Sequence, residues 1–290
     1  MYSTQQTFSI TPSQTAVVDG IQINFSASLS NVDNLTLALV HGFGTSLESW
    51  YDIYPVLAAE FSVVRLDLKG SGFSAKPIDT RYSISDQAAI LIKFLEQLRL
   101  KRVVLVGHSL GGAVSLLTYM GQLSEKSGPE IVALILIDSA GFSQKLPFFV
   151  STLRNPITRL ASHFLSPESR VKLVLEYEMA VKSQITPERV ERYAHFLRLP
   201  GTEFALTQTA KYIVPENAEA IASRFSEITV PTLIIWGEND PVIPLESAYR
   251  FRTLIKNSKL VILPNTGHIP HEERPQRVLE LIRNFIRSIK

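Results

Sequence analysis

The chain of 290 residues contains no cysteine. That excludes disulfides, thiolate nucleophiles and cysteine-bound metals, and it leaves the compartment open. A dominant charge is also missing: 29 Lys+Arg stand against 27 Asp+Glu, a formal net charge of +2. No basic cluster follows a phosphate backbone, so no nucleic-acid partner is expected. No apolar run approaches the roughly 20 residues of a membrane-spanning helix. Met1 to Gln6 lack the basic start and apolar core of a secretory signal. A cytoplasmic protein is the resulting expectation. Internal repeats and low-complexity tracts are absent. The length suits one large α/β domain or a domain carrying an insertion.

What is present is a succession of short apolar runs alternating with helical patterns. Thr15–Val18, the turn Asp19-Gly20 and Ile21–Phe25 read as a hairpin. Leu35–Val40, Phe61–Leu66, Val103–Val106, Ile131–Ile137 and Pro231–Trp236 read as buried strands, with a last strand at Lys259–Leu263. Helices are expected from about Ser49 to Ala59, over the face Ile84, Ala88, Leu91, Ile92, Leu95 and Leu98, near Leu245–Leu254, and from Pro275 onward. Between Ala140 and Ser226 strand signals stop. Prolines there separate helical patterns rich in aromatics. The alternation implies a mostly parallel sheet with helices on both faces and a helical cap inserted between two strands. Residues 1–139 and 227–290 would form the core and 140–226 the cap. Sites in such sheets lie beyond the carboxyl ends of the strands. His41, Ser109, Asp138, Asp240 and His268 all fall there.

Gly107-His108-Ser109-Leu110-Gly111-Gly112 joins a strand to a helix and fits G-x-S-x-G, the sharp turn that exposes a nucleophilic serine. A serine hydroxyl needs a base, and the base needs a carboxylate that fixes its tautomer. Of the six histidines, His268 follows a strand in a Gly-containing loop and is the expected base. His41 and His108 are expected to hydrogen-bond locally, and His163 and His195 to be structural. Asp240 and Asp138 compete as the acid; the Gly-x-x-Asp-Pro turn favours Asp240. The order Ser109, Asp240, His268 matches one serine-hydrolase fold among the three chain orders in use. The backbone amides of Leu110 and of Phe43, within His41-Gly42-Phe43-Gly44, are the expected oxyanion donors. Gly70, Gly72 and Ala75 fit a loose dinucleotide fingerprint, but Pro77 and a polar stretch follow where a helix should open. A loop pinned by Asp67 near the mouth of the site is the expectation there.

These motifs, together with Arg65 to Pro77, Trp236 to Pro244 and Gly267-His268 with Glu272-Glu273-Arg274-Pro275, make the chain resemble the α/β-hydrolase superfamily over nearly its whole length. The resemblance is to the capped branch shared by meta-cleavage-product hydrolases, epoxide hydrolases, esterases and lipases. It implies an α/β-hydrolase fold, no cofactor and no metal. Epoxide hydrolases and haloalkane dehalogenases of this branch carry aspartate at the elbow, where this chain has Ser109. Meta-cleavage-product hydrolases often carry asparagine before the serine, whereas ester-cleaving relatives commonly carry histidine, as His108 here. The expectation is hydrolysis of a small apolar ester through an acyl-enzyme. Trp50, Phe148 and Phe149 are the expected substrate-binding side chains. C–C bond hydrolysis of a dienoate is the alternative, with a cation required from among cap residues such as Arg154, Arg159, Arg170, Lys172, Arg189, Arg192 and Arg198. A ligand-binding receptor that retains the fold is the third reading.

Overall fold

Apolar residues on successive strand positions need cover on both faces of a sheet, and the fold supplies it. A computed structural model describes residues 13–29, 35–125 and 128–289; the stretch Met1 to Gln6, read above for a secretory signal, lies outside them. Strands β1 (Gln14–Val18) and β2 (Ile21–Ser28) form the expected hairpin. Asp19 and Gly20 between them both have positive φ, at 49° and 78°, as a type I′ turn demands. Next come β3 (Leu35–Val40), β4 (Ser62–Leu66), β5 (Arg102–His108), β6 (Glu130–Ile137), β7 (Thr232–Gly237) and β8 (Ser258–Leu263). The order across the sheet is β1-β2-β4-β3-β5-β6-β7-β8. The β1–β2 and β2–β4 pairs are antiparallel, and every pair from β4 to β8 is parallel.

Alternation along the strands sorts the core into two halves. On β3, Ala38 and Val40 pack toward α2 (Ile84–Gln97), α3 (Leu110–Glu125) and α10 (Leu245–Leu254). Leu35, Leu37 and Leu39 pack toward α1 (Tyr54–Glu60) and α12 (Pro275–Ile289), which follows the single turn α11 (Pro270–Glu273). One difference from the sequence reading lies at Ser49–Ala59. The chain forms a 3-10 turn at Leu47–Trp50, capped by Ser46, and a separate helix α1. Pro55 sits in the first turn of α1, where its missing N–H costs nothing; in the middle of one long helix it would remove a hydrogen bond.

Between β6 and β7 the chain is helical: α4 (Phe148–Arg154), α5 (Pro156–Ser162), α6 (Pro167–Glu178), α7 (Pro187–Leu197), α8 (Thr202–Tyr212) and α9 (Ala218–Ser223). Its prolines start helices. Pro156, Pro167 and Pro187 are first residues of α5, α6 and α7, each preceded by a side-chain cap from Asn155, Ser166 or Thr186. Val171, Leu175 and Met179 pack with Ala194 and Ile269 in a small core of their own. The ends of the segment join the main core instead. Phe142 and Phe225 lie 4.5 and 5.5 Å, centroid to centroid, from Phe251 of α10.

Candidate active site

The β5–α3 turn is as tight as its glycines suggest. A Cβ on Gly107 would lie 2.4 Å from the Gly111 carbonyl oxygen, and one on Gly111 would lie 2.1 Å from the Val40 carbonyl oxygen. Ser109 between them is held at φ 52°, a left-handed conformation that a non-glycine residue adopts at a cost. Its Oγ lies 2.9 Å from His268 Nε2, and His268 Nδ1 lies 2.8 Å from Asp240 Oδ2. Nδ1–H therefore donates to Asp240 and leaves the Nε2 lone pair for the serine proton. The second carboxylate oxygen of Asp240 accepts the Val242 and Ile243 amides at 2.7 and 3.0 Å. Residues 159 and 28 positions away from His268 are thus brought to it.

Electrostatics favour this arrangement. Burial pulls the His268 pKa down, but the charge and hydrogen bond of Asp240, with Glu178 and Glu273, outweigh it and raise the pKa above the ordinary 6.5. Asp138, the other candidate acid, accepts the Gly237 amide at 2.9 Å and does not bond the histidine. Burial, the neighbouring Asp240 charge and a hydrogen bond with Asp240 lift the Asp138 pKa well above 3.8, which favours its protonated form beside Asp240. Carboxylate and imidazole atoms of Asp138, Asp240 and His268 approach within 4.8 Å, which is also metal-site spacing. The Nδ1 proton and the amides on Asp240 already occupy the lone pairs a cation would need.

Two histidines flank the trio as neutral props. His41 donates from Nδ1 to the Gly42 carbonyl and accepts the Leu68 amide at Nε2, at 2.7 and 3.0 Å, and burial lowers its pKa to about 4. His108 reaches further than expected: its Nε2 donates to the His268 carbonyl at 2.8 Å. The amides of Phe43 and Leu110 donate to no acceptor among the described residues. The loop after β4 is held by Asp67, which accepts the Leu47 and Phe73 amides at 2.7 and 2.8 Å and the Asn24 amide group at 2.7 Å. No helix opens between β4 and Ile84, so the glycines at 70 and 72 serve a turn and not a phosphate.

A cavity of about 90 Å³ opens at Ser109 and His268, and a second of about 250 Å³ lies within the helical segment. Phe43, Thr45, Phe149 and Glu178 line both. Phe149 stacks on Phe43 with centroids 6.3 Å apart, and Phe148, 47% exposed, lines the second compartment. The placement of Trp50 among substrate contacts is corrected. It is fully buried in the core half facing α12, with its ring 4.6 Å from His271. The turn at Leu47–Trp50 carries it to the opposite face of the sheet from the cavity. None of the cations expected from the helical segment lines the compartment at Ser109; Arg170 lines the second, with Nε buried and without a partner. Arg189 pairs with Asp52 and Glu272, and Arg198 with Glu168 and Glu191.

Two glutamates that sequence reasoning left without a role hold the histidine loop. The Glu178 carbonyl accepts the His268 amide at 2.8 Å. The Glu273 carboxylate accepts the amides of Gly267, Ala180 and Val181 at 2.7, 2.8 and 3.0 Å. Glu273 lay within a stretch that carried the resemblance; Glu178 had no local signal.

A sequence profile described as alpha/beta hydrolase fold matches residues 36–275. The chain belongs to the alpha/beta hydrolase family. It is 30% identical over 281 residues to the uncharacterized hydrolase YugF of Bacillus subtilis, covering 96% of this chain and 99% of that one. It is 28% identical over 257 residues to a 2-hydroxy-6-oxo-2,4-heptadienoate hydrolase of Pseudomonas putida, covering 86% and 88%. Among solved structures it resembles a candidate lipase, lip1, of Acinetobacter baumannii, with TM-score 0.81, 27% identity and coverage of 96% and 91%. No helix among the described residues is long and apolar enough to cross a membrane.

Proposed function

We propose that this hydrolase cleaves a carboxylic ester of a small apolar molecule through an acyl-enzyme on Ser109. The observation that carries the reading is the unbroken relay from Ser109 Oγ to His268 to Asp240 at 2.9 and 2.8 Å. Ser109 Oγ attacks the ester carbonyl while its proton passes to His268 Nε2. The carbonyl oxygen takes the negative charge and is met by the Phe43 and Leu110 amides. Asp240 stabilises the imidazolium. The tetrahedral intermediate collapses, and His268 gives its proton to the departing alkoxide. Water then repeats the cycle against the acyl-enzyme, releasing the acid and restoring Ser109. No metal or cofactor enters any step.

In this reading residues 140–226 form a cap over the core, and the substrate lies between them, against Phe149 and in part Phe148. The apolar lining at Ser109 suits an uncharged acyl group. C–C hydrolysis of a dienoate is the second reading. Arg170 in the far compartment and the heptadienoate hydrolase relative favour it. An expelled carbon leaving group must be protonated, and the substrate carboxylate needs a cation, yet none lines the compartment at Ser109. Assayed side by side, p-nitrophenyl butyrate should be turned over and a 2-hydroxy-6-oxo-dienoate scarcely. A dienoate kcat/KM far above the ester value would overturn the ester reading and make Arg170 the residue to test.

A further inference from the structure

The compartment at Ser109 is apolar except for a few side chains. Of those, the titratable ones are His108, His268 and Glu178. His108 is held neutral by burial and by the neighbouring His271 and His268, and His268 is the base. Among the described residues, Glu178 is left as the single lining group there that can carry negative charge. It ends α6 and lines both compartments, so it stands where they meet. Its backbone is fixed by the bond from the His268 amide. Its carboxyl receives no hydrogen bond from any described residue. The residue is half-buried and lines both compartments, so its carboxyl is open to a donor carried by a ligand.

We propose that Glu178 is the charge-selecting residue of the substrate cavity: it receives a hydroxyl, amine or ammonium donor on the substrate and turns away carboxylates. The groups facing it are His268, which favours its ionised form, and Asp240, Glu272 and Glu273, which oppose it; burial dominates and lifts its pKa to about 7. A substrate ammonium restores the ionised form by direct pairing, and a hydroxyl donates to either form. A substrate carboxylate meets a like charge at low dielectric with no cation lining that compartment. The same charge helps to raise the pKa of His268, which ties substrate selection to the pH at which the base works.

The kinetic arm of the test rests on the ester reading, so a binding arm is run beside it. Wild type, Glu178→Gln and Glu178→Met are titrated calorimetrically at pH 8 with hexylammonium and with hexanoate. Wild type should bind hexylammonium at least tenfold tighter, and both variants should lose that preference. In the kinetic arm, p-nitrophenyl esters of equal chain length end in methyl or in carboxylate. The carboxylate-to-methyl ratio of kcat/KM should be low in wild type and rise at least tenfold in Glu178→Gln. The pH midpoint of activity should also fall, which a merely structural role would not produce. Equal binding of the two ions by wild type, or a preference that survives both variants, overturns the proposal. Retained ion preference without ester turnover would instead overturn the ester reading and leave Glu178 in its role.

Discussion

At Ser109, Asp240 and His268 the consequences of substitution follow from who holds which proton. Ser109→Ala removes the proposed nucleophile, and turnover should fall by a factor on the order of 10⁶ when chemistry limits the rate. Asp240→Asn keeps the shape but loses the charge that stabilises the imidazolium, so kcat should drop by up to about 10⁴. Asp138→Asn should cost far less activity, because burial and Asp240 favour the neutral form of Asp138 and an amide can still donate to Asp240. It should also alter stability in a pH-dependent way. A buried carboxyl with a raised pKa binds a proton that the unfolded chain has released. Wild-type stability therefore falls as pH rises from about 4 toward the folded pKa of Asp138. Urea unfolding at pH 5 and pH 8 should find Asp138→Asn gaining on wild type at the higher pH. An equal difference at both values would count against a protonated Asp138.

Among elements, the proposed cap between β6 and β7 is the segment that would decide what reaches Ser109. Phe43, Phe149 and their apolar neighbours line a compartment that rewards buried methylene groups. Each contributes about 0.8 kcal/mol, or about fourfold in kcat/KM. Lengthening the acyl chain from acetate should raise kcat/KM by about that factor per carbon until the compartment fills. A flat profile would contradict an apolar acyl site. The segment's helices were legible because Pro156, Pro167 and Pro187 mark their first turns. The strand ends and the trio were legible because a tight turn and a Gly-flanked loop leave local traces. Glu178 was not, since its role depends on α6 meeting a loop 90 residues further on. Trp50 was misplaced for a related reason. It is close to Phe43 in the chain, but the turn between them crosses to the other face of the sheet, which adjacency alone does not reveal.

For the whole molecule, buried titratable groups set two limbs of a stability profile. Burial holds His41, His108 and His271 neutral with lowered pKa values. Their contribution is complete above about pH 6.5 and is lost as pH falls through their folded values. Burial raises Glu178 and Glu272 to about 7, and Asp138 well above the ordinary value. Those carboxyls, and the raised His268, contribute stability at lower pH that is lost as pH climbs through their folded values. The urea midpoint should therefore stop rising by about pH 6.5, where the histidine contribution is complete, and decline toward pH 8.5. A midpoint still rising at pH 8.5 would contradict the assigned protonation states. Activity should follow the other side of the same chemistry, rising with pH around a midpoint above about 6.5, because only neutral His268 can accept the serine proton.

The most direct test is intact-mass spectrometry of the protein after exposure to a fluorophosphonate, followed by peptide mapping. A single phosphonyl adduct on Ser109 is expected in wild type, none in Ser109→Ala, and strongly slowed labelling in His268→Ala. Full labelling of Ser109→Ala, or an adduct mapped to another residue, would contradict the assignment of Ser109 as the nucleophile.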